Sequence, residues 1–245
     1  MGAEWPILPV LAVIFLATLI RSAFGFGEAL VAVPLLALLI PVEEAVPLAT
    51  LVSITVAGIV VAQDWHKIHV RSAGWLIVST LFGIPLGLWL LTAVAETVVK
   101  AILAVVIIGF SLYCLVSRSQ YELKNDRWAW LFGFGAGILG GAYGMNGPPL
   151  VIYGSLRRWS PEHFRATLQG YFLPASLLGF CGYWLAGLWV PAVTRYYFWS
   201  LPFALAAIFL GRAINQRMRE RSFLRYIHLG LLLVGTVLLI QSMRR

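Results

Sequence analysis

Two glycine-rich stretches hold the residues best placed to do chemistry. The first is Phe24-Gly25-Phe26-Gly27-Glu28, with Arg21 about one turn before it. The second is Gly140-Gly141-Ala142-Tyr143-Gly144-Met145-Asn146-Gly147-Pro148-Pro149. Each interrupts a long apolar run. Glycine permits a backbone that leaves the helix, and proline starts a helix well but does not fit its interior. Each stretch therefore reads as a break between two helices, with a new N-terminus near Gly27-Glu28 and near Asn146-Gly147-Pro148. Free N–H groups and the positive end of the dipole make a helix N-terminus favourable for an anion. Two such ends brought together would bind an anion with few formal charges. The alternative is that these glycines only allow close helix packing.

Side chains beside the breaks extend that reading. Arg21 at membrane depth is costly, about 2.5–3.5 kcal/mol on insertion scales, and such residues usually serve function. It attracts an anion, snorkels towards the interface or pairs with Glu28. Glu28 stands where a helix end favours its charge and burial favours a proton, so it is a candidate for proton coupling as well as for a capping or pairing role. Asn146 offers amide donors and precedes Pro148, which makes it an N-cap, a direct ligand or both. Arg165 and Gln169 share a helix face. Arg165 reads as an interfacial anchor, and Gln169, one turn deeper, as a site residue. Thr50 and Ser53 occupy the related region of the first half, where helix packing would also explain them. Asp64, His66 and His69 form too loose a cluster for a metal site. His163 and His228 stand alone and read as interfacial. No cofactor is implied.

The elements that must hold these residues are membrane helices. Of 245 residues, 60% are hydrophobic and 11% charged, against about 25% charged in soluble domains. The mean hydropathy is +0.87. That excludes a soluble enzyme, a nucleic-acid module and a disordered chain, so the net charge of +8 belongs to a lipid-facing topology. Cys114 and Cys181 lie in apolar runs and suggest neither a disulfide framework nor a metal knuckle. The start, Met1-Gly2-Ala3-Glu4-Trp5, lacks a basic n-region, so the first apolar run is expected to be retained. Trp5, Trp65, Trp75, Trp128, Trp159 and Trp199 lie near expected span ends, as an aromatic belt would.

Full spans are expected at 45–62, 72–91, 97–117, 164–186, 192–210 and 224–241. The interrupted stretches cover 6–40 and 128–156. A shift of 119 residues lays Gly25 on Gly144, Glu43 on Glu162 and Trp65 on Trp184. The order of elements repeats with it: broken stretch, three spans, broken stretch, three spans. The expected division is a first repeat at 1–117, a cytoplasmic connector at 118–127 and a second repeat at 128–245.

Charge counting orients the chain. If each broken stretch crosses once, the two sides carry 8 and 9 Lys/Arg, with no bias. If each enters and leaves on one side, the split becomes 13 against 4. The positive-inside rule selects the second arrangement. The expected fold is thus an all-α polytopic membrane protein of two inverted repeats, each a re-entrant-like broken helix pair plus three transmembrane helices, with both termini outside. Inverted repeats with interrupted helices are the architecture of many secondary transporters.

At these residues the chain resembles the sulfite exporter TauE/SafE family. The resemblance rests on Gly25-Phe26-Gly27 followed by Leu30-Val31-Ala32-Val33-Pro34, on Tyr143-Gly144-Met145-Asn146-Gly147-Pro148-Pro149-Leu150, and on Ser160-Pro161-Glu162-His163-Phe164-Arg165-Ala166-Thr167. It covers essentially the whole chain. It implies movement of small sulfur-containing anions across the plasma membrane. The chain departs from the family's commoner glycine run by having Glu28-Ala29 after the first break, and by Asn146 and Pro148 in the second half.

The expected function is a secondary transporter of small anions, of the sulfite, thiosulfate or sulfoacetate type, working by alternating access in the plasma membrane. The expected site is Arg21, Gly25, Phe26, Gly27, Glu28, Gly144, Met145, Asn146, Gly147, Pro148 and Gln169. A bulky residue at Gly27 or Gly147 should block it and leave folding intact. Expected partners are the anion, the bilayer and a coupling proton, with no nucleic acid. An anion channel would share the helix-end site without gates. An intramembrane enzyme would need a nucleophile–base constellation that the sequence lacks. No P-loop is present to support ATP drive.

The topology has its own test. Cysteines placed near Glu4 and near Gln241 should react with an impermeant thiol reagent from outside intact cells. Cysteines near Gln120 and Asn215 should be protected until the cells are opened.

Overall fold

The computed structural model describes residues 7–24, 26–64, 70–116, 123, 126–159, 161–215 and, near the C-terminus, 232–233, 235–237, 239–240 and 243. The described chain is all-α. Its helices are α1 (Ile7–Phe24), α2 (Glu28–Leu36), α3 (Val42–Asp64), α4 (Val70–Ala93), α5 (Glu96–Val116), α6 (Ala129–Tyr143), α7 (Gly147–Leu156), α8 (Pro161–Leu185) and α9 (Pro191–Asn215). Five expected spans correspond to α3, α4, α5, α8 and α9. The sixth, 224–241, is described only in part, and those residues are helical.

Among the described residues, segments of α3, α4, α5 and α9 are long and apolar enough to cross a membrane. The helix α8 runs 25 residues, with Glu162, His163 and Arg165 in its first turns. The broken stretches are α1–α2 and α6–α7, each a longer helix followed by a shorter one of 9 or 10 residues. At 1.5 Å per residue, α2 and α7 extend only about 15 Å, half a bilayer core.

The repeat is visible in helix boundaries. Phe24 and Tyr143 end α1 and α6, Glu28 and Gly147 begin α2 and α7, and Val42 and Pro161 begin α3 and α8, each pair 119 residues apart. The halves interlock. The long arm α6 lies along α4 of the first half, and its equivalent α1 lies along α9 of the second.

Small residues allow the α4–α6 approach. A Cβ on Gly87 would lie 2.7 Å from the Ala142 nitrogen, and one on Gly141 would lie 2.9 Å from the Leu88 nitrogen. Such backbone-to-backbone closeness is how membrane helices associate where lipid supplies no hydrophobic drive. Gly211 plays the same part between α9 and α1, where a Cβ would meet Ser22 at 2.6 Å.

Contacts also fix helix directions. The Thr80 hydroxyl meets both the Gly133 carbonyl, at 2.9 Å, and the Tyr171 hydroxyl, at 2.5 Å. Further along, Gly182 packs beside Leu88 and Ile84, and the Tyr183 hydroxyl donates to the Gly140 carbonyl. The helices α4, α6 and α8 therefore run the same way. The short α7 brings the chain back: the Leu123 N–H, just before α6, donates to the Leu156 carbonyl at 2.9 Å, and the Phe132 and Tyr153 rings pack tilted with centres 5.4 Å apart. The second broken stretch is thus a hairpin whose two ends lie together. In the first, Thr18 on α1 reaches Glu28 at the start of α2, which requires the same fold-back.

Gly87→Ala and Gly141→Ala should each destabilise the protein by about 1–3 kcal/mol through overpacking against backbone. Gly58→Ala, whose new methyl meets no described atom within 4 Å, should be neutral or stabilising by up to about 1 kcal/mol. Thermal unfolding in detergent distinguishes the two cases.

Candidate functional site

The tips of the two hairpins meet. Phe26, Gly27 and Glu28 from one, and Gly144 through Pro148 from the other, line a common cavity of about 30 Å³. By the space one water needs, that is room for roughly two waters or one small oxyanion. Arg21 from α1, Ser53 from α3, Phe110 from α5, and Phe172 and Ser176 from α8 complete the wall.

Its electrostatic centre is an ion pair. Arg21 and Glu28 are 4% and 2% exposed. Arg21 Nη1 donates to Glu28 Oε2 at 2.6 Å and to Ser53 Oγ at 2.5 Å. Thr18 Oγ1 donates to Glu28 Oε1 at 3.3 Å. The guanidinium carbon lies 5.3 Å from the centre of the Phe172 ring, a cation–π distance. Of the readings for Arg21, pairing with Glu28 is realised, yet it occupies one nitrogen only. Arg21 Nε and Nη2 are buried with no hydrogen-bond partner among the described residues. These two nitrogens form the planar edge that matches two oxygens of an oxyanion.

The two breaks differ in backbone. In the first, Gly27 (φ 96°) is the left-handed residue that precedes α2, and no side chain caps that helix. Val31 N–H bonds the Gly27 carbonyl at 3.1 Å, so the amides of Glu28, Ala29 and Leu30 fall outside the helical ladder. In the second, Gly144 (φ 63°) ends α6, and the N–H groups of Gly144 and Met145 return to Gly140 and Leu139 at 2.8 and 3.1 Å. Pro148 and Pro149 then start α7 without N–H groups. Gly147 is thus the backbone donor of that first turn, and α2 is the richer of the two helix ends.

Asn146 sits at the N-cap of α7, yet its side chain makes no capping bond. It lies instead against Gly140, where any Cβ would overlap its amide, and its Oδ1 is buried without a donor. The glycines also part ways. A Cβ on Gly147 would meet only Phe172, at 4.0 Å, so a larger side chain would enter the cavity. At Gly27 the left-handed φ strains any other residue. The expectation that Gly27 tolerates a bulky side chain without cost to folding is therefore corrected.

Gly25 lies outside the described residues, as do His66 and His69. Gln169 and Arg165 are placed on α8 by backbone, and their side chains, like that of Asp64, are not described. Thr50 packs beside Gly144, and Ser53 is a direct partner of Arg21 rather than a packing residue. Phe110, Phe172 and Ser176 were not singled out by sequence. The repeat offers one signal, since Phe172 lies 119 residues after Ser53.

Arg21→Ala should cost about 3–5 kcal/mol, because it strands a buried carboxylate. Arg21→Ala/Glu28→Ala should cost less than the two single changes together, by a coupling of about 1–3 kcal/mol in chemical unfolding.

A family model described as sulfite exporter TauE/SafE matches residues 10–239. No curated protein and no solved structure matches the chain. The matched region takes in both hairpins, the cavity and all nine helices named above except the first three residues of α1. The resemblance carried by the two break motifs thus holds along nearly the entire length. With apolar helices long enough to span a bilayer, this chain is a membrane protein and belongs to the sulfite exporter TauE/SafE family of transporters.

Proposed function

We propose that the chain is a secondary transporter that moves small sulfur oxyanions or organosulfonates across the plasma membrane by alternating access. The observation that carries this reading is the Nε–Nη2 edge of buried Arg21, without a hydrogen-bond partner among the described residues, on the wall of a cavity where two helix N-termini converge. The edge suits a ligand with two oxygens on one centre. Phe26, Met145 and Phe172 give the same cavity an apolar side for a sulfur or carbon substituent. The family's description supplies sulfite as the reference substrate.

Helix directions and charge support the inverted arrangement with both termini outside. The equivalent helices α3 and α8 pass each other in opposite senses. Thr50 lies by Gly144, at the level of the α8 C-terminus, whereas Ser53 lies on the cavity with Phe172 and Ser176 from the middle of α8. A two-fold axis that reverses equivalent helices runs in the membrane plane, as in inverted-repeat transporters. Rocking one hairpin against the other around the cavity would then expose it to either side.

Purified protein should be stabilised by sulfite, thiosulfate or sulfoacetate and not by chloride, by about 2.7 kcal/mol at 100-fold excess over Kd. In proteoliposomes the bound anion should show saturable flux and counterflow. Gly147→Val should abolish both and leave the unfolding temperature of the empty protein unchanged. Absence of any anion stabilisation would overturn the site, and flux without saturation or counterflow would make the protein a channel.

A further inference from the structure

The cavity holds one cation and one carboxylate that share a single contact. Arg21 Nη1 is committed to Glu28 and Ser53, and Nε and Nη2 have no hydrogen-bond partner among the described residues. An oxyanion on the open edge would lie across the width of one guanidinium from the Glu28 carboxylate, competing with it for the same positive charge. With Glu28 ionised, the described side chains of the cavity sum to zero charge before the ligand enters. No water shell can disperse the excess negative charge that a bound anion then brings.

The helix ends oppose this with partial charges only, and no other described side chain near Glu28 carries a charge to relieve it. From α1 it faces Arg21 and the Thr18 hydroxyl, and from α3 the Ser53 hydroxyl. Across the cavity, α5 brings Phe110, the second break brings Asn146, and α8 brings Phe172 and Ser176. Among the described lining residues, Arg21 and Glu28 are the titratable or charged groups. The second hairpin offers no substitute, because the positions 119 residues after Arg21 and Glu28 are Gly140 and Gly147.

We propose that Glu28 takes up one proton with each anion bound at Arg21, so that the protein carries an anion and a proton together. This rests on the anion site proposed above. The proton comes from bulk water on the loading side and binds a Glu28 carboxylate oxygen. The neutral carboxyl releases its hold on Nη1, and the whole guanidinium turns to the anion. On the far side, loss of the anion lets Arg21 draw Glu28 back into the ion pair, and the proton leaves to water. No bond other than O–H is made or broken. Thr18 and Ser53 hold the carboxyl in place in both states.

Thiosulfate and methanesulfonate are the probes, because neither titrates between pH 5.5 and 8.5. Calorimetric binding to the full-length protein in buffers of different ionisation enthalpy counts protons directly. The expected count is up to one proton taken up per anion, with Kd weakening as pH rises, by up to about tenfold per pH unit. Glu28→Gln should bind the anion with no proton uptake and no pH dependence, with affinity at least that of the native protein at pH 5.5. In proteoliposomes the native protein should move protons with the anion, and any anion flux left in Glu28→Gln should carry none. Anion binding with zero proton uptake by the native protein would overturn the coupling and leave the anion site standing. Proton uptake that persists in Glu28→Gln would place the coupling on another group. Failure of both probes to bind at any pH, with sulfite and sulfoacetate also inert, would remove the anion site itself and the coupling with it.

Discussion

A helix that stops in the middle of a bilayer leaves N–H groups with no water to meet them. This constraint organises the structure. The two helix starts near Glu28 and Gly147 must lie inside protein, so each hairpin needs a wall on every side. Glycine-lined contact of α6 with α4, and of α1 with α9, brings backbones close enough to build that wall. The remaining polar demand falls on the tips. There Gly144 and Met145 close α6 onto its own carbonyls, and Pro148 and Pro149 remove two donors outright. What survives of the demand is concentrated at α2 and Arg21, on the wall of the cavity.

Helix boundaries in the two halves match at a spacing of 119 residues, but the chemistry beside the breaks does not. Arg21 and Glu28 have glycines as their counterparts, and Ser53 has Phe172. A buried ion pair is weak evidence for stability, since desolvation offsets most of its attraction. Its placement on the cavity wall, with half of the guanidinium unused, gives it a different purpose from holding helices together. The aromatic counterpart of Ser53 completes the arrangement: Phe172 covers the guanidinium face, so the open direction is the edge.

The sequence revealed what depends on local chain chemistry. Runs of apolar residues gave five of the expected spans as helices, and the glycine and proline clusters gave both breaks to within a few residues. The 119-residue spacing gave the order of elements, and charge in the loops selected hairpins over single crossings. Arg21, Phe26, Gly27, Glu28 and Gly144 to Pro148, all near the breaks in sequence, were legible as cavity-lining candidates for that reason. Phe110, Phe172 and Ser176 were not, because they reach the cavity from the middle of continuous helices whose sequence shows no interruption. Nor could periodicity show that Gly27 and Gly147 differ, since the left-handed turn falls before α2 in one hairpin and after α6 in the other. The role of Ser53 depended on which neighbour it met, and that neighbour is 32 residues away.

The interlocked pairing of α1 with α9 has a consequence for how the chain is made. The helix α1 ends at Phe24 and its partner begins at Pro191, so most of the polypeptide is synthesised before the first hairpin gains its wall. Until then its tip, with a buried charge pair, must wait within a half-assembled bundle or at the insertion machinery. Contacts of such long sequence separation are slow to form. The α6–α4 pair closes much earlier, because both helices have emerged by residue 143. The long arm of the second hairpin can therefore meet its partner helix well before the long arm of the first can meet α9.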